Sequence, residues 1–417
     1  MAAEADPLQA LIAHAVAAHQ AGRLTEAEAG YRAALAGHPA SVDLHYNLGL
    51  VLQATHRLHE AEACYRQTLK LQPAHASAWN NLGNLLRDTR RFDEAVAAFE
   101  RALALQPAHR HARFNLSLAL LAQGRHAEAW PLYESRLTAF DAMLPPLACP
   151  RWQGEPLAGR RLLVVCEQGI GDAVMFIRFV PRLRALGVAR VTVLCRPELS
   201  ALLATCEGVD ETVSRDDGTH DLHVPLMSLP LHLQAGPRDG AAIPYLRALP
   251  DRLAMWRPVL TPGLRHVGVA WRGSAGHSND AQRSTSLAAL RPLWQLPGVQ
   301  FVSLQKGTGE DEARQPPAGQ PLLHVGSALR DVADLAAVIA LMDAVVTVDT
   351  AVAHVAGALG QPCWVMPAAV ACDWRWLDGG MPGESAWYPG TTRVVLRPVG
   401  ADWDVAVRQV VQASAAG

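Results

Sequence analysis

Hydrophobic and polar positions in the first third of the chain recur with a period of 34 residues. Small residues, aromatic residues and prolines each return in the same order. Small residues where two helices cross, with a proline after the second helix, are typical of helix pairs that stack into a solenoid. The pattern therefore predicts an all-α solenoid over residues 8–139. The recurring positions are Ala27, Ala61, Ala95 and Ala129; Tyr31, Tyr65, Phe99 and Tyr133; and Pro39, Pro73 and Pro107.

This period resembles the tetratricopeptide repeat, with three repeats and a fourth that lacks its terminal proline. Such helix pairs curve into a concave surface lined by the first helix of each pair. Asn47, Asn81 and Asn115 recur at one position of that helix. Because an asparagine amide both donates and accepts hydrogen bonds, a ladder of them can hold an extended peptide whatever its sequence. A common filler residue at this position is the alternative interpretation.

The pattern changes after a linker at 140–160 that is rich in proline and glycine. Short β-branched runs then alternate with helical segments, which predicts parallel sheets with helices on both faces. We expect two Rossmann-like lobes, at 161–250 and 265–400, followed by a C-terminal helix at 401–417. Ligands of such sheets bind beyond the carboxyl ends of the strands, so the turns at those ends are where chemistry is expected.

The bulk composition excludes several classes of function. Of 417 residues, 50% are hydrophobic and 18% are charged, and the formal net charge is −2. This balance does not predict binding to nucleic acid or to an anionic membrane. Seven scattered cysteines without a Cys-x-x-Cys pair argue against a disulfide framework or a zinc site. The N-terminus is a poor signal peptide, and no apolar run is long enough to span a bilayer. We therefore expect a cytoplasmic protein without a transmembrane segment.

The first strand of the α/β region ends in a glycine-containing turn at 167–172. A dinucleotide-binding fold would have a third glycine where this chain has Val174. It would also have an acid at the end of the second strand, where this chain has Cys195 and Arg196. The dehydrogenase interpretation therefore fails. Asp172 begins a helix at the cleft edge, where it serves either as an N-cap carboxylate or as a catalytic group.

Polar loops at the edge of the second lobe indicate an anion site. Arg272, Arg283 and Lys306 each follow a predicted strand, and guanidinium groups suit bidentate contacts to phosphate. Asp349 and Thr350 lie where a helix begins, and the free N–H groups there attract anions. The sequence therefore predicts that these residues bind phosphate.

A single histidine lies within the helix that begins after Thr350. His354 falls one helical turn further on, on the same face. It is either part of the anion site or a buried histidine with one hydrogen bond. Because no Asp-x-Asp metal cluster stands nearby, we expect helix dipole and side chains to neutralise any diphosphate.

Together these segments resemble the bacterial lipopolysaccharide heptosyltransferase family, in the branch that carries tetratricopeptide repeats ahead of the catalytic lobes. The resemblance covers about residues 150–410. The order of repeats and lobes also resembles that of the O-GlcNAc transferases. The segments that carry the resemblance are EQGIGDAVMFIRFVPRL, VGVAWRGS, RSTSL, FVSLQKG, VDTAVAHVAGALGQPCWV and CDWRWL.

The resemblance implies a two-lobed GT-B fold and inversion at the sugar without a metal or a cofactor. Asp172 falls on the family's proposed general base. The family's basic phosphate ligand falls on Arg283, where the family commonly has lysine, with Arg272 as the second choice. The rest of the site falls on the acceptor-side turn Gln168, Gly169 and Gly171, and on the donor-site residues Asp349, Thr350, Ala351 (commonly glycine in the family) and His354.

The fold class predicted is an all-α tetratricopeptide-repeat solenoid followed by an α/β two-lobed Rossmann-like GT-B fold. The predicted function is an inverting, metal-independent glycosyltransferase of hexosyl or heptosyl type. It would move a sugar from a nucleotide-sugar donor to a protein acceptor held by the repeats, such as bacterial flagellin or another surface protein. The alternatives are a non-catalytic scaffold with a degenerate transferase domain, and a sugar-nucleotide epimerase.

Overall fold

The computed structural model describes residues 7–140, 144–277, 279–377 and 383–415. The chain divides into two compact units, residues 1–120 and 121–417. Of the helices described, none is both long enough and apolar enough to cross a membrane.

The described residues of the first unit form seven helices, and the last of these ends two residues past the boundary of the unit. They are α1 (Pro7–Gln20), α2 (Leu24–Gly37), α3 (Val42–Ala54), α4 (Leu58–Leu71), α5 (Ala76–Asp88), α6 (Phe92–Leu105) and α7 (Arg110–Ala122).

Glycine and aromatic residues explain the 34-residue period of this unit. A Cβ atom on Gly49 would lie 2.6 Å from the Tyr65 ring, and one on Gly83 would lie 2.6 Å from the Phe99 ring. In each pair the glycine is on the first helix and the aromatic ring on the second, and all four residues are buried. Close helix crossing therefore requires both residue types at fixed spacing, which confirms the predicted helical solenoid.

The second unit begins with two short helices, α8 (His126–Tyr133) and α9 (Arg136–Ala139). Trp130 on α8 is buried, and its indole N–H donates to the carbonyl of Ala235 at 2.8 Å. The last segment with the repeat pattern thus packs with the α/β region of its own unit.

The segment after α9 runs along the edge of the first sheet. Trp152 is 2% exposed, its ring centroid lies 4.6 Å from that of His232, and its backbone N–H donates to the backbone carbonyl of His223 at 2.7 Å. The stretch predicted as a linker is therefore a packed strap over its described part.

A four-stranded parallel sheet forms the first lobe, in the order β3-β2-β1-β4. Its strands are β1 (Arg161–Val165), β2 (Arg190–Leu194), β3 (Glu211–Val213) and β4 (Leu222–Pro225). Its helices are α10 (Ile170–Phe176), continued by a 3-10 helix at Ile177–Leu186, and α11 (Pro197–Leu203) and α12 (Leu229–His232). The next helix, α13 (Pro250–Trp256), lies in the connection to the second lobe and packs against the helix at Val332–Ala340.

A six-stranded parallel sheet forms the second lobe, in the order β10-β9-β8-β5-β6-β7. Its strands are β5 (Arg265–Ala270), β6 (Val299–Ser303), β7 (Leu323–His324), β8 (Ala344–Val348), β9 (Cys363–Met366) and β10 (Thr392–Val394). Its helices are α14 (Asp280–Arg283), a 3-10 helix at Leu287–Gln295, α15 (Glu310–Arg314), α16 (Val332–Ala340), α17 (Ala351–Leu359) and α18 (Trp403–Ala415).

In both sheets the strand order reverses at the first strand. In the first lobe β1 lies between β2 and β4, and in the second lobe β5 lies between β6 and β8. Such switch points leave a crevice beyond the carboxyl ends of the strands. The two parallel sheets confirm the predicted fold class.

Candidate active site

A cavity of about 1000 Å³ opens between the two lobes of the second unit, at the carboxyl ends of their strands. The structure brings every candidate predicted in this unit to its wall. These residues are Gln168, Gly169, Gly171 and Asp172 from the first lobe, and Arg272, Arg283, Lys306, Asp349, Thr350, Ala351 and His354 from the second.

Asp172 occupies the first turn of α10, directly after β1. One carboxylate oxygen accepts the backbone N–H of Gly169 at 2.9 Å, which caps the helix. The other oxygen accepts from the guanidinium of Arg375 in the second lobe. Gln168 turns the chain into the helix with a left-handed backbone, at φ 68°. Asp172 is therefore both a helix cap and an anion at the cavity wall.

Arg375 is a cavity residue to which the sequence analysis assigned no role. Its guanidinium forms two bonds with the Asp373 carboxylate, at 3.0 and 2.9 Å, and lies 4.6 Å from the Trp374 ring. Burial raises the pKa of Asp373, but Arg375 outweighs it and the net shift is downward. Arg375 therefore links carboxylates of both lobes across the cavity.

The start of α17 lines the cavity on the side of the second lobe. The Thr350 hydroxyl accepts the backbone N–H of Val352 at 3.3 Å and so caps the helix. Arg283 donates to the backbone carbonyl of Asp349 at 3.2 Å. A guanidinium and the N-terminus of a nine-residue helix thus lie together, and both favour negative charge.

The other two predicted cations lie on the loops after β5 and β6. Arg272 is paired with Glu312 at 3.0 Å, and Lys306 donates to the backbone carbonyl of Leu329. Gln305 fixes both loops: its side chain bonds to the backbones of Trp271, Arg272 and Thr308 at 2.7 to 3.0 Å. Its place in the Gln-Lys-Gly loop gave no indication of this role.

Burial and a neighbouring carboxylate change the acidity of Asp349. Burial raises its pKa, and the charge on Asp373 raises it further, to about 6. The ionised form of Asp349 is therefore disfavoured in the folded protein, as expected for a buried carboxyl group beside a second carboxylate.

We expect Asp349→Asn to stabilise the protein at neutral pH. Because the folded pKa lies above the unfolded value of 3.8, the wild-type free energy of unfolding falls as pH rises between these values. Asparagine cannot ionise, so the variant does not lose this free energy. We expect a gain on the order of 1 to 2 kcal/mol at pH 7.5, which is already reduced for the partial exposure of the side chain. Thermal melts at pH 4 and pH 7.5 measure it. A variant that melts below wild type at pH 7.5 would contradict the expectation.

His354 is buried and electrically neutral. Its ring stacks on Trp376 with centroids 5.0 Å apart, and Nδ1 lies 2.9 Å from the Tyr388 hydroxyl. Burial and the nearby Arg375 charge lower its pKa to about 3. The imidazole therefore brings no positive charge to the cavity.

Gly171 lets the two lobes meet at this histidine. A Cβ atom on Gly171 would lie 2.6 Å from Cδ2 of His354, which is closer than van der Waals contact. We expect Gly171→Ala to displace the imidazole or α10 and to lower the free energy of unfolding by about 1 to 3 kcal/mol. Chemical denaturation measures this, with Gly276→Ala as control, because its Cβ would meet nothing closer than 3.7 Å. Equal stabilities of the two variants would contradict it.

The asparagines of the repeats lie in the first unit, on α3, α5 and α7. Asn81 donates to the Tyr46 hydroxyl at 3.1 Å, and Asn115 donates to Asn80, which in turn donates to Asn81, each at 3.1 Å. Tyr46 and Asn80, which the sequence analysis did not single out, thus tie part of the predicted ladder together.

A group of possible metal ligands lies away from the cavity. Within the described ranges, Asp216, Asp217 and His220 bring ligand atoms within 4.8 Å of one another, and none of the three lines the cavity.

Known families match both halves of the chain. Tetratricopeptide-repeat profiles match residues 40–108 and 80–142. The profile of glycosyltransferase family 9 (heptosyltransferase) matches residues 310–364, which include the start of α17. These matches confirm tetratricopeptide repeats followed by a glycosyltransferase-like domain, and they support a glycosyltransferase.

A curated relative covers both halves. Protein FlbA of Caulobacter vibrioides is 29% identical over 324 residues, which is 70% of this chain and 53% of the relative. The chain thus spans about half the length of that relative.

The solved structures that are similar to this chain cover about a third of it. The MamA protein is 21% identical over 31% of this chain and 72% of its own, with a TM-score of 0.30. YrrB, described as a TPR protein with an unusual peptide-binding site, is 22% identical over 30% and 64%, with a TM-score of 0.28. The first TPR of Spaghetti (RPAP3), bound to an HSP90 peptide, is 20% identical over 27% and 89%, with a TM-score of 0.26.

Proposed function

We propose that this chain is an inverting glycosyltransferase that moves a sugar from a nucleotide donor to a protein. The observation that carries the proposal is the opposition of charges across one cavity. A carboxylate of the first lobe, Asp172, faces a guanidinium and a helix N-terminus of the second lobe.

The second lobe would hold the donor. Arg283, Lys306 and the N-terminal N–H groups of α17 lie on one side of the cavity, where they favour the phosphates of a nucleotide sugar. They also stabilise the negative charge that develops on the leaving phosphate oxygen. With these groups in place we propose that the reaction needs neither a metal nor a cofactor.

The first lobe would supply the base. Asp172 takes the proton of an acceptor hydroxyl as that oxygen bonds to the sugar C1 from the face opposite the phosphate. The bond from C1 to the phosphate oxygen breaks, and the nucleotide leaves with the electron pair. Arg375 pairs with Asp172 before the donor arrives. Donor phosphate competes for this guanidinium, which frees the carboxylate.

The repeats would bind the acceptor protein, since stacked repeats present an extended surface. Flagellin or another bacterial surface protein, modified in the cytoplasm, is the acceptor class we propose. The test incubates the full chain with isotope-labelled nucleotide sugars and purified flagellin, and follows the label by mass spectrometry of intact protein.

Label on flagellin from wild type, lost with Asp172→Asn and reduced with Asn81→Ala, supports the proposal. Asn81→Ala should leave nucleotide binding unchanged, because Asn81 lies in the first unit. Release of free sugar without label on the protein would count against a protein acceptor. An epimerised nucleotide sugar would favour the epimerase alternative.

A further inference from the structure

A buried glutamine joins two of the loops that line the cavity. Gln305 follows β6 and is 3% exposed. Its side-chain oxygen accepts the backbone N–H groups of Trp271 and Arg272, each at 3.0 Å. Its side-chain nitrogen donates to the backbone carbonyls of Arg272 at 3.0 Å and of Thr308 at 2.7 Å. A carboxamide has two acceptor sites and two donor hydrogens, so all of its hydrogen-bonding capacity is used.

These four bonds fix the orientation of the Gln305 carboxamide. If its oxygen and nitrogen exchanged places, the amino group would face two N–H groups and the oxygen would face two carbonyl oxygens. A carboxylate at this position would also set an oxygen against the two carbonyls. The surroundings of Gln305 therefore match glutamine and not glutamate.

The backbone N–H groups at the end of β5 form a row of the kind that binds anions. Successive N–H groups that converge on one point make such a nest. Here the protein fills the nest with its own oxygens. Gln305 takes the N–H groups of Trp271 and Arg272, and the hydroxyl of Ser284 accepts that of Gly273 at 3.0 Å. A phosphate cannot bind this stretch of backbone without displacing them.

The same two loops hold the three cations predicted to bind phosphate. Arg272 lies in the loop after β5, and Lys306 directly follows Gln305 in the loop after β6. Arg283 packs on the first of these loops, because a Cβ atom on Gly273 would lie 2.5 Å from Nη2 of Arg283. A shift of the loops would therefore move all three positive charges.

We propose that Gln305 is the positioning residue of the donor site. It holds the loops after β5 and β6 so that their cations, and not the backbone N–H groups after β5, meet the phosphates of the donor. The proposal rests on the proposed function, since it says how that site binds its donor. All four side-chain bonds of Gln305 go to backbone atoms, so it acts on the donor through the loops.

The backbone N–H of Arg272 reports on this arrangement in the full chain. Three arginines of the sequence follow a tryptophan: Arg257, Arg272 and Arg375. Labelling the tryptophan carbonyls with ¹³C and arginine with ¹⁵N therefore selects three amide signals, which single lysine substitutions assign. We expect the Arg272 N–H to exchange slowly with solvent before any nucleotide is added. Fast exchange in the wild type overturns the proposal, whether or not a nucleotide slows it.

Gln305→Met removes the four bonds with little change in side-chain length. We expect the Arg272 N–H to exchange at least about tenfold faster in this variant. We also expect a rise of about tenfold in the Kd of whichever of ADP, UDP, GDP and CMP the wild type binds. An unchanged Arg257 signal, from outside the cavity wall, shows that the fold is intact. If Gln305→Met does not fold, Gln305→Asn replaces it, because its amide is one methylene too short to join both loops.

Gln300→Met is the matched control. Gln300 lies on β6 and also joins two segments, since its side chain accepts the Thr261 N–H and donates to the Thr261 hydroxyl, each at 2.9 Å. It does not line the cavity. We expect this variant to leave nucleotide binding and the exchange of the Arg272 N–H unchanged.

The outcomes separate positioning from a general loss of structure. Nucleotide binding that Gln305→Met leaves unchanged overturns the proposal, as does an Arg272 N–H that stays protected in that variant. Equal weakening by Gln305→Met and Gln300→Met overturns it too, because a merely structural role would affect both. If no nucleotide binds to wild type, the proposed function fails together with the positioning role. Failure of the positioning role alone leaves wild-type binding intact, so the two failures are distinct.

Discussion

Replacing Asp172 with asparagine is expected to slow sugar transfer by a factor of about 10² to 10⁴, the usual contribution of a general base. The isosteric amide cannot take a proton from the acceptor hydroxyl. It keeps an oxygen for the Gly169 N–H, so the start of α10 stays capped. Nucleotide binding should be retained, because the donor contacts lie in the other lobe. Release of nucleotide from the donor sugar, followed with and without acceptor, measures the rate.

Asp331→Asn is the matched control for this experiment. Asp331 also lines the cavity, and it also caps a helix, by accepting the Asp334 N–H at 2.8 Å. Asparagine again keeps the cap, and transfer should proceed at nearly the wild-type rate. Transfer by Asp172→Asn within threefold of wild type would show that another group takes the proton.

Arg136→Met is expected to cause the largest loss of stability. Arg136 is fully buried and donates to Glu167 at 2.7 Å, to Ser228 at 2.8 Å and to Glu134 at 2.6 Å. Removing the cation leaves the buried carboxylate of Glu167 without its cationic partner, whereas Glu134 keeps Arg151. Breaking such a buried pair from one side costs about 3 to 5 kcal/mol. The measurement is denaturant unfolding of the full chain, followed by the transition of the second unit.

The loss of stability in Arg136→Met should depend on pH. Burial already raises the pKa of Glu167 above its ordinary value of 4.5, and without Arg136 it rises further. A raised carboxyl pKa makes the free energy of unfolding fall as pH rises. The difference between variant and wild type should therefore be smaller at pH 5.5 than at pH 7.5.

Arg184→Met is the control for Arg136→Met. Arg184 also pairs with an acid of the same unit, Asp210, but 38% of its side chain is exposed. Exposed pairs contribute about 0 to 1 kcal/mol. If both variants lost the same stability, the buried network around Arg136 would have no special weight.

Local patterns predicted most of the fold. The period of the repeats follows from contacts within one helix pair, such as Gly49 against Tyr65, so it is visible in the sequence. The parallel sheets follow from β-branched runs separated by helical segments. Because the carboxyl ends of parallel strands meet at one edge, the turns after them could be assigned to one site, and all of those predicted residues line the cavity.

Contacts that depend on how the lobes pack could not be predicted. Arg375 and Asp172 are 203 residues apart, and no spacing rule relates them. The hydrogen bond between His354 and Tyr388 joins a helix to a C-terminal segment. The raised pKa of Asp349 likewise depends on Asp373 lying beside it. Sequence patterns therefore predicted several charged groups of the cavity, but not Arg375 and not how these groups pair or hold protons.

Nucleotide binding by wild type and Arg283→Ala tests the central claim most directly, which is that the cavity holds the phosphates of a nucleotide sugar. Calorimetry with ADP, UDP, GDP and CMP is run first without magnesium and then with it. We predict that one nucleotide binds with a micromolar Kd that magnesium does not change. Arg283→Ala should weaken that binding at least tenfold, or about 1.4 kcal/mol. No binding by any of the four, or equal binding by wild type and variant, would contradict the claim.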